Sequence, residues 1–352
     1  MDATRSQVLA FRLGAHQLER TGSHADAAIL DLGVQDTGPD GSGWALRVRG
    51  VGEPDVFLAW TLRGAPHAYR RADAAGAAAA TAPYDDADAG KRIFDAAKPL
   101  RDAGIDNLEA LGVVAAQMRD LVRRPIVKGL LSTALTQRLP PPYVRYCRPC
   151  QATHSYEQTF RLSALRAGIE LQPSTSPPVL ERIKGWRGPS ATIPPRLDVI
   201  RGYLRFFGPA TTKQVAAYVD APVSTINAHL PTDLVEVSVE GEQRLLLADD
   251  VDALGSTAVD PSVVRLLGPF DPWLQGRDRE LMVPDEAHRK DLWRTLGRPG
   301  AVIAGAEVVG TWRLRSKGRK LALATDLWAP VDEPALAEQA TRLAAYRGME
   351  LA

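Results

Sequence analysis

The sequence predicts an α+β protein, and three observations carry that prediction. Apolar residues recur at helical spacing in several separate segments, beginning with residues 5–20. Residues 234–248 alternate apolar and polar side chains around Gly241, which is the pattern of a β-hairpin. The glycine-punctuated tail, residues 261–350, contains short strand-like runs and ends in an amphipathic helix. The tail therefore predicts a small barrel or half-barrel with a covering helix.

Length and composition are those of a soluble globular protein. The chain has 352 residues, of which 45% are hydrophobic and 24% charged, enough to build two or three cores. Its net charge of +1 neither indicates nor excludes a nucleic-acid partner, because binding depends on local clustering of charge. No run reaches the ~18 apolar residues of a membrane span, and the first residues do not resemble a signal peptide. We therefore expect a cytoplasmic protein with no membrane partner.

The first half of the chain predicts helices with one early strand. Residues 56–64 are apolar and favour a strand, and three short helices precede it, which is the order of an irregular winged helix. The predicted helices lie at residues 5–20, 25–32, 44–51, 106–124 and 159–171. The rest of residues 125–180 is hard to assign, since four prolines interrupt residues 138–150.

The clearest unit is residues 197–248. A helix closed by Gly208 is followed by a second helix that Thr211 or Thr212 would cap, and by a third that begins after Pro222. The predicted hairpin completes a winged helix-turn-helix. Ser224, Thr225, Asn227 and His229 would lie on its recognition helix, but that helix has no Lys or Arg and the wing is acidic, so we expect a scaffold rather than a sequence reader.

Several blocks of the sequence occur together in one known family. The blocks are LGVQDTG (32–38), AWTLRGAPH (59–67), YLRFFGPAT (203–211), LLGPFDPWLQGRDRELMVPDEAHRKDLWR (266–294) and VVGTWRLR (308–315). With them the chain resembles the winged-helix DNA glycosylases of the AlkZ type, which release alkylated and crosslinked guanines. The resemblance implies tandem winged helix-turn-helix domains and a C-terminal β-barrel-like domain around a DNA channel. The expected domains are residues 1–85, 86–180, 181–258 and 259–352.

The resemblance also points to a catalytic corner. Active members carry a Gln-x-Gln or Gln-x-Asp motif that places and activates water, and the matching residues here are Gln35, Asp36 and Thr37. Gln35 carries over, whereas a threonine replaces the second catalytic residue and a carboxylate stands between them. In an extended segment Asp36 would face away from Gln35. The alternative interpretation is that Asp36 and Thr37 cap and turn the chain toward Gly38.

Basic residues supply the candidate DNA contacts. Arg63 and His67 match a family Arg-Gly-x-x-His segment and could contact phosphates. For Arg63 a structural role in a hairpin is an equal alternative, and for His67 a buried, hydrogen-bonded position in that hairpin is favoured. The tail segment 312–320 contains five cations and no acid, which predicts a phosphate-binding edge unless it is a solvated strand edge. Arg277 and Arg279 lie in the family block, where pairing with Asp278 and Glu280 would make them structural. The full candidate set is Arg63, His67, Arg119, Arg123, Arg124, Lys128, Arg277, Arg313, Arg315, Lys317, Arg319 and Lys320.

Cys147 and Cys150 form a Cys-x-x-Cys motif, and His154 follows four residues later. A zinc site needs four ligands, and the chain has no other cysteine. The neighbouring prolines also argue against a redox motif at the start of a helix. The sequence therefore predicts structural thiols, with no metal and no cofactor.

Two hypotheses about function follow. The first is a monomeric, monofunctional DNA glycosylase that acts on N7-alkylated or crosslinked guanine in double-stranded DNA, with Gln35 orienting water. The alternative is a non-catalytic protein that binds damaged or adducted DNA. A transcriptional regulator is a third possibility that the acidic wing disfavours.

Overall fold

The computed structural model describes residues 1–256, 258–317 and 320–352, without the side chains of Ser316 and Lys317. Helices occur along the whole described chain, and none of them is long and apolar enough to cross a membrane. The α-helices are α1 Arg5–Ala15, α2 Gly41–Val48, α3 Ala74–Ala80, α4 Asp86–Arg92, α5 Ala97–Asp102, α6 Asn107–Leu121, α7 Lys128–Arg138, α8 Glu157–Arg166, α9 Val199–Phe207, α10 Thr212–Val219, α11 Val223–Ala228, α12 Val251–Ser256, α13 Arg279–Met282, α14 Glu286–Leu292 and α15 Glu333–Tyr346.

The strands are short and pair mostly in antiparallel fashion. They are β1 Asp2–Ala3, β2 Val34–Gln35, β3 Val56–Trp60, β4 Pro66–Arg70, β5 Ile126–Val127, β6 Val144–Cys147, β7 Ala152–Ser155, β8 Ile169–Leu171, β9 Val179–Arg182, β10 Leu234–Val239, β11 Glu242–Leu247, β12 Val264–Leu267, β13 Gly300–Ala304, β14 Glu307–Lys317, β15 Lys320–Leu327 and β16 Glu350–Leu351. Helices and sheets mix along the chain, which confirms the predicted α+β class.

One sheet joins the first and second quarters of the chain. Its strand order is β2-β4-β3-β8-β9-β5, and Leu58 in β3 lies opposite Leu171 in β8. Strands from residues 34–70 and 126–182 therefore share a single layer, across the boundary that the sequence predicts near residue 85. The sheet holds β2, and with it Gln35, at one edge.

The elements predicted for residues 197–248 are present in the predicted order. Helices α9, α10 and α11 precede the antiparallel hairpin β10–β11, which β1 extends as a parallel third strand. Thr211 is the cap of α10, because its side chain accepts from the Gln214 backbone while the Gln214 side chain accepts from Thr211 N. Helix α11 faces the protein: the Thr225 hydroxyl donates to Asp85 at 3.1 Å, and the His229 ring lies 4.5 Å from the Tyr84 ring. This packing agrees with the expectation of a scaffold.

The tail forms a half-barrel sheet in the order β12-β13-β14-β15-β16, and α15 packs against β12. Two fully buried ion pairs connect the tail to the N-terminal helices. Arg49 binds Asp271 through two 2.9 Å contacts, and both side chains are fully buried. Arg12 binds Asp278 at 2.6 Å in a similarly dry position. These buried pairs fix the family block of the tail against the first 50 residues.

Three predicted helices are shorter than the sequence suggests. The first ends at Ala15, because Gln17 has a positive φ of 58° that an α-helix cannot contain. The helix predicted at 25–32 is a single 3-10 turn, Ala28–Asp31. The helix predicted at 159–171 ends at Arg166, and its last residues form β8 instead. In each case tertiary contacts override the local apolar spacing.

Candidate functional site

A short turn after β2 presents the candidate catalytic residues. Gln35 lies opposite His67 in the pairing of β2 with β4. The chain enters β2 through Gly33, whose φ of +85° favours glycine, and a Cβ there would lie 2.4 Å from Cζ of Tyr69. Glycine is therefore required at this position, and the close packing of Tyr69 fixes where β2 begins.

Gln35 and Thr37 face the same side of this turn. The Gln35 Nε2–H donates to Thr37 Oγ1 at 3.0 Å, and both side chains are half-buried. Within the described chain no group donates to Gln35 Oε1. Gln35 Oε1 thus keeps its lone pairs and Thr37 Oγ1 keeps one, so both oxygens can accept hydrogens from water.

Asp36 points to the other side. Its Oδ1 accepts from the backbone nitrogen of Ser42 at 2.9 Å and from the Ser42 hydroxyl at 2.8 Å, so the carboxylate caps the first turn of α2. The nearby carboxylate of Asp40 binds Arg347 through two 2.6 Å contacts. The geometry thus supports the capping interpretation of Asp36 and gives no support to a role beside Gln35.

His67 lies inside the β3–β4 hairpin and is 1% exposed. Its Nδ1 is 2.9 Å from the Thr61 hydroxyl and 3.0 Å from the Ala65 carbonyl oxygen. Burial, with a smaller contribution from Arg63, lowers the pKa of His67 to about 3, so the ring is neutral near pH 7. A buried, neutral imidazole offers no surface or charge to a phosphate, and the hairpin role that the sequence leaves open fits this placement.

Four half-buried arginines gather near the tip of the same hairpin, and we call Arg63, Arg277, Arg279 and Arg298 the arginine cluster. No carboxylate of the described residues forms an ion pair with any of them. Three of them lie over aromatic rings: Arg63 over Tyr218 at 4.8 Å, Arg279 over Trp293 at 5.1 Å and Arg298 over Phe270 at 5.1 Å. Arg63 also donates to the Tyr218 carbonyl oxygen.

Burial and, to a smaller extent, mutual repulsion lower the pKa of two members of the cluster. Burial first, then the charge of Arg63, lowers the pKa of Arg277 to about 10. Burial, then Arg279 and Arg277, lowers the pKa of Arg298 to about 10. The Nε atoms of Arg277 and Arg298 are buried without a partner in the described chain. Unpaired, partly desolvated donors of one charge sign are costly unless an anion binds them.

Asp278, the carboxylate adjacent in sequence to Arg277 and Arg279, pairs with other arginines. Asp278 binds Arg12 at 2.6 Å and Arg244 at 2.9 Å, which leaves Arg277 and Arg279 unneutralised. Both arginines line an open groove of about 760 Å³. Its lining also includes Arg289 and Lys290 of α14 and the acidic side chains of Glu242, Glu280 and Glu286. The sequence analysis placed Arg277, but not Arg279, among the candidate DNA contacts, and it left open a purely structural role for both. It did not identify Arg298. Only their neighbourhood reveals them, since no motif links residue 63 to residue 298.

Two of the four side chains in the second predicted basic group form ion pairs with carboxylates. Arg119 donates to the carbonyl oxygens of Ala167 and Gly168 at the end of α8, at 3.2 and 3.3 Å. Arg123 pairs with Asp120 at 3.0 Å, and Lys128 pairs with Glu157 at 2.7 Å. Arg124 is exposed, and no described residue pairs with it. These side chains do not form a free cationic patch.

The structure describes only part of the basic tail segment, residues 312–320. Arg313 binds Asp291 at 2.9 Å. Arg315 and Lys320 are exposed on β14 and β15, with no ion-pair partner among the described residues. The Lys317 side chain and all of Arg319 lie outside the described residues, so their predicted role stays a prediction.

The Cys-x-x-Cys motif and its histidine come together on the β6–β7 hairpin. The ligand atoms of Cys147, Cys150 and His154 all lie within 4.8 Å of one another. The sequence analysis did not predict this group, because it required four protein ligands for a metal site. The group lies on a two-stranded sheet that is separate from the sheet of Gln35.

Comparison with known families gives the class of protein. The family described as "DNA glycosylase AlkZ-like" matches residues 45–346, so the chain belongs to the AlkZ-like DNA glycosylases. Among solved structures, it is similar to the Streptomyces sahachiroi DNA glycosylase AlkZ, with a TM-score of 0.74, 19% identity and 100% of each chain covered. At that identity the likeness concerns the fold. No curated protein sequence gives a significant match.

Proposed function

We propose that this protein is a monofunctional DNA glycosylase that hydrolyses the N-glycosidic bond of N7-alkylated or crosslinked guanine. The observation that carries the proposal is the Gln35–Thr37 pair, with its hydrogen bond of 3.0 Å and its unoccupied amide oxygen. Family membership supports the reaction class, and the pair supports the place where water is held.

The chemistry demands little from the protein. An N7-alkylated guanine already carries a positive charge, so it leaves readily as a neutral base. The protein needs to hold the sugar and to place a water molecule against the anomeric carbon. In our proposal Gln35 Oε1 and Thr37 Oγ1 accept the two water hydrogens, which aims an oxygen lone pair at that carbon. The bond from water oxygen to carbon forms as the bond to the guanine nitrogen breaks, and the water loses a proton to solvent.

The arginine cluster supplies the duplex contact in this proposal. Arg63 lies at the turn between β3 and β4, and β4 pairs directly with the strand that carries Gln35. Guanidinium groups bind phosphates through charge-assisted, often bidentate hydrogen bonds. DNA phosphates bound at Arg63 and Arg277 would hold the DNA backbone next to Gln35 and Thr37. The winged-helix elements of residues 197–248 would support this arrangement without reading the DNA sequence.

Base release tests the proposal directly. Purified protein is incubated with a duplex that contains N7-methylguanine, and free base is measured over time. We expect release by the native protein, none by Gln35→Ala, and equal duplex affinity for both. Gln243→Ala, at an exposed position of strand β11, is the matched control and should release base normally. Equal release by Gln35→Ala would refute the assignment of the corner.

A second candidate function is favoured by one specific observation. The carboxylate next to Gln35, that of Asp36, caps α2 and faces away, so no described carboxylate touches the Gln35–Thr37 pair. Without a carboxylate, the corner offers only the dipoles of an amide and a hydroxyl against the positive charge that develops on the sugar. If the duplex binds but neither N7-methylguanine nor a crosslinked guanine is released, the protein is a non-catalytic binder of damaged DNA.

A further inference from the structure

The β6–β7 hairpin carries a compact group of sulfur and nitrogen ligands. Cys147 ends β6, Cys150 lies in the turn, and His154 lies in β7. Their ligand atoms are all within 4.8 Å of one another. This group takes no part in the proposed base release.

Local geometry explains why the three side chains meet. In the hairpin register Cys147 lies opposite Ala152, and Arg145 lies opposite His154. Residues 147 and 154 are therefore diagonal neighbours on one face of the two-stranded sheet, close enough for long side chains to touch. The turn closes through Gln151, whose φ of 51° bends the chain sharply and returns Cys150 to the same side.

The histidine is oriented by a contact of its own. Its Nδ1 lies 2.8 Å from the Ser155 carbonyl oxygen. A carbonyl oxygen only accepts, so Nδ1 carries the hydrogen and Nε2 keeps its lone pair. In metal-binding histidines, the ring nitrogen that does not bind the metal commonly donates to a carbonyl or carboxylate oxygen in this way, which fixes the orientation of the ring.

We propose that Cys147, Cys150 and His154 bind a zinc ion, with solvent as the fourth ligand. Two thiolates and an imidazole are the donors that zinc prefers, and a tetrahedral Cys₂His site with one open position is a known type. Among the described residues no fourth protein ligand joins the group. Cys150 is exposed, so the open position faces water.

The oriented histidine is the reason to prefer a metal over a disulfide. A Cys147–Cys150 disulfide would need no third partner, whereas a ring nitrogen of His154 lies within 4.8 Å of both thiols, and with Nδ1 engaged by Ser155 its Nε2 remains to bind an ion. A bound ion would also join two strands that have no other sheet neighbours. Isolated two-stranded hairpins are marginal in water, and a crosslink between the strands would stabilise this one.

Metal content and cobalt spectroscopy test the site without reference to activity. The full chain is purified under reducing conditions and its zinc is measured by plasma mass spectrometry. We expect about one zinc per chain, and after exchange a cobalt spectrum with thiolate charge-transfer bands and tetrahedral d–d bands. Cys150→Ser and His154→Ala should lose the ion, whereas His288→Ala, a histidine of α14, should keep it.

Three results would overturn the proposal. One is a native protein that takes up neither zinc nor cobalt while both thiols remain reduced. Another is a Cys147–Cys150 disulfide in the freshly isolated protein without metal. The third is a Cys150→Ser variant, folded by circular dichroism, that binds the ion as tightly as the native chain. None of these results depends on base release, so this site and the proposed function fail separately.

Discussion

Gln35 donates a 3.0 Å hydrogen bond from its side-chain amide to the hydroxyl of Thr37, two residues further along the chain. The bond fixes the amide orientation, because the nitrogen is engaged and the oxygen is left without a partner among the described residues. Thr37 thus contributes twice, once by orienting Gln35 and once by offering its own oxygen. The corner depends on the pair rather than on either residue alone.

Thr37→Val tests the pair at nearly constant volume. The variant removes the hydroxyl, so Gln35 loses its orienting partner and the water loses one acceptor. The loss of one such hydrogen bond costs about 1–3 kcal/mol, which corresponds to roughly 5- to 150-fold in rate. We expect a decrease of that size in the single-turnover rate of base release, with duplex affinity unchanged. Thr37→Ser should retain most of the rate, and full activity in Thr37→Val would exclude a role for the hydroxyl.

Asp36→Ala separates capping from chemistry. The substitution removes the acceptor for Ser42 at the start of α2, and the loss of such a cap costs about 1 kcal/mol of unfolding free energy. Thermal or denaturant unfolding measures this loss, and the base-release rate of the folded protein should not change. Asp36→Asn keeps a capping oxygen and should restore stability. A drop in rate for Asp36→Asn at native stability would instead place Asp36 in the reaction.

The arginine cluster predicts a defined salt dependence. Arg277→Met and Arg298→Met keep the aliphatic volume and remove one cation each. We expect weaker duplex binding, and a slope of log affinity against log salt that is smaller by about one for each lost phosphate contact. Arg123→Met is the control, because that side chain is exposed and already paired with Asp120. A control that changes the slope as much as the cluster variants would argue against a specific phosphate site.

Stability should fall as the pH is lowered from about 7 to 5. Burial lowers the pKa of His67 from its usual 6.5 to about 3, so the unfolded chain binds a proton in this range and the folded chain does not. Burial, followed by the charge of Arg49, likewise lowers the pKa of His16 well below 6.5. Each such histidine contributes a slope of about 1.4 kcal/mol per pH unit below its unfolded pKa.

His67→Gln isolates one of these contributions. Denaturant unfolding at several pH values should show a slope that is smaller by about 1.4 kcal/mol per pH unit than that of the native protein. The slope is compared rather than the absolute stability, since the substitution also disturbs the hydrogen bonds of Thr61. An unchanged slope would mean that the imidazole is protonated in the folded state.

The sequence alone determined the features that depend on near neighbours. Alternation in an extended segment predicts that Asp36 faces away from Gln35, and the hydrogen bonds of the two residues agree. Turn residues and apolar spacing likewise predict three helices and a hairpin over residues 197–248, and the structure has them in that order. Periodicity and turn chemistry act over a few residues, so one sequence suffices to predict them.

Only the tertiary structure decided which charges remain unpaired. Asp278 is adjacent to both Arg277 and Arg279, yet it binds Arg12 and Arg244, which come from distant parts of the chain. Arg63 and Arg298 lie with Arg277 and Arg279, which have no carboxylate partner among the described residues, although 235 positions separate residues 63 and 298. The choice of partner is made by packing, because a buried carboxylate binds the cations that share its dry pocket rather than those next to it in sequence.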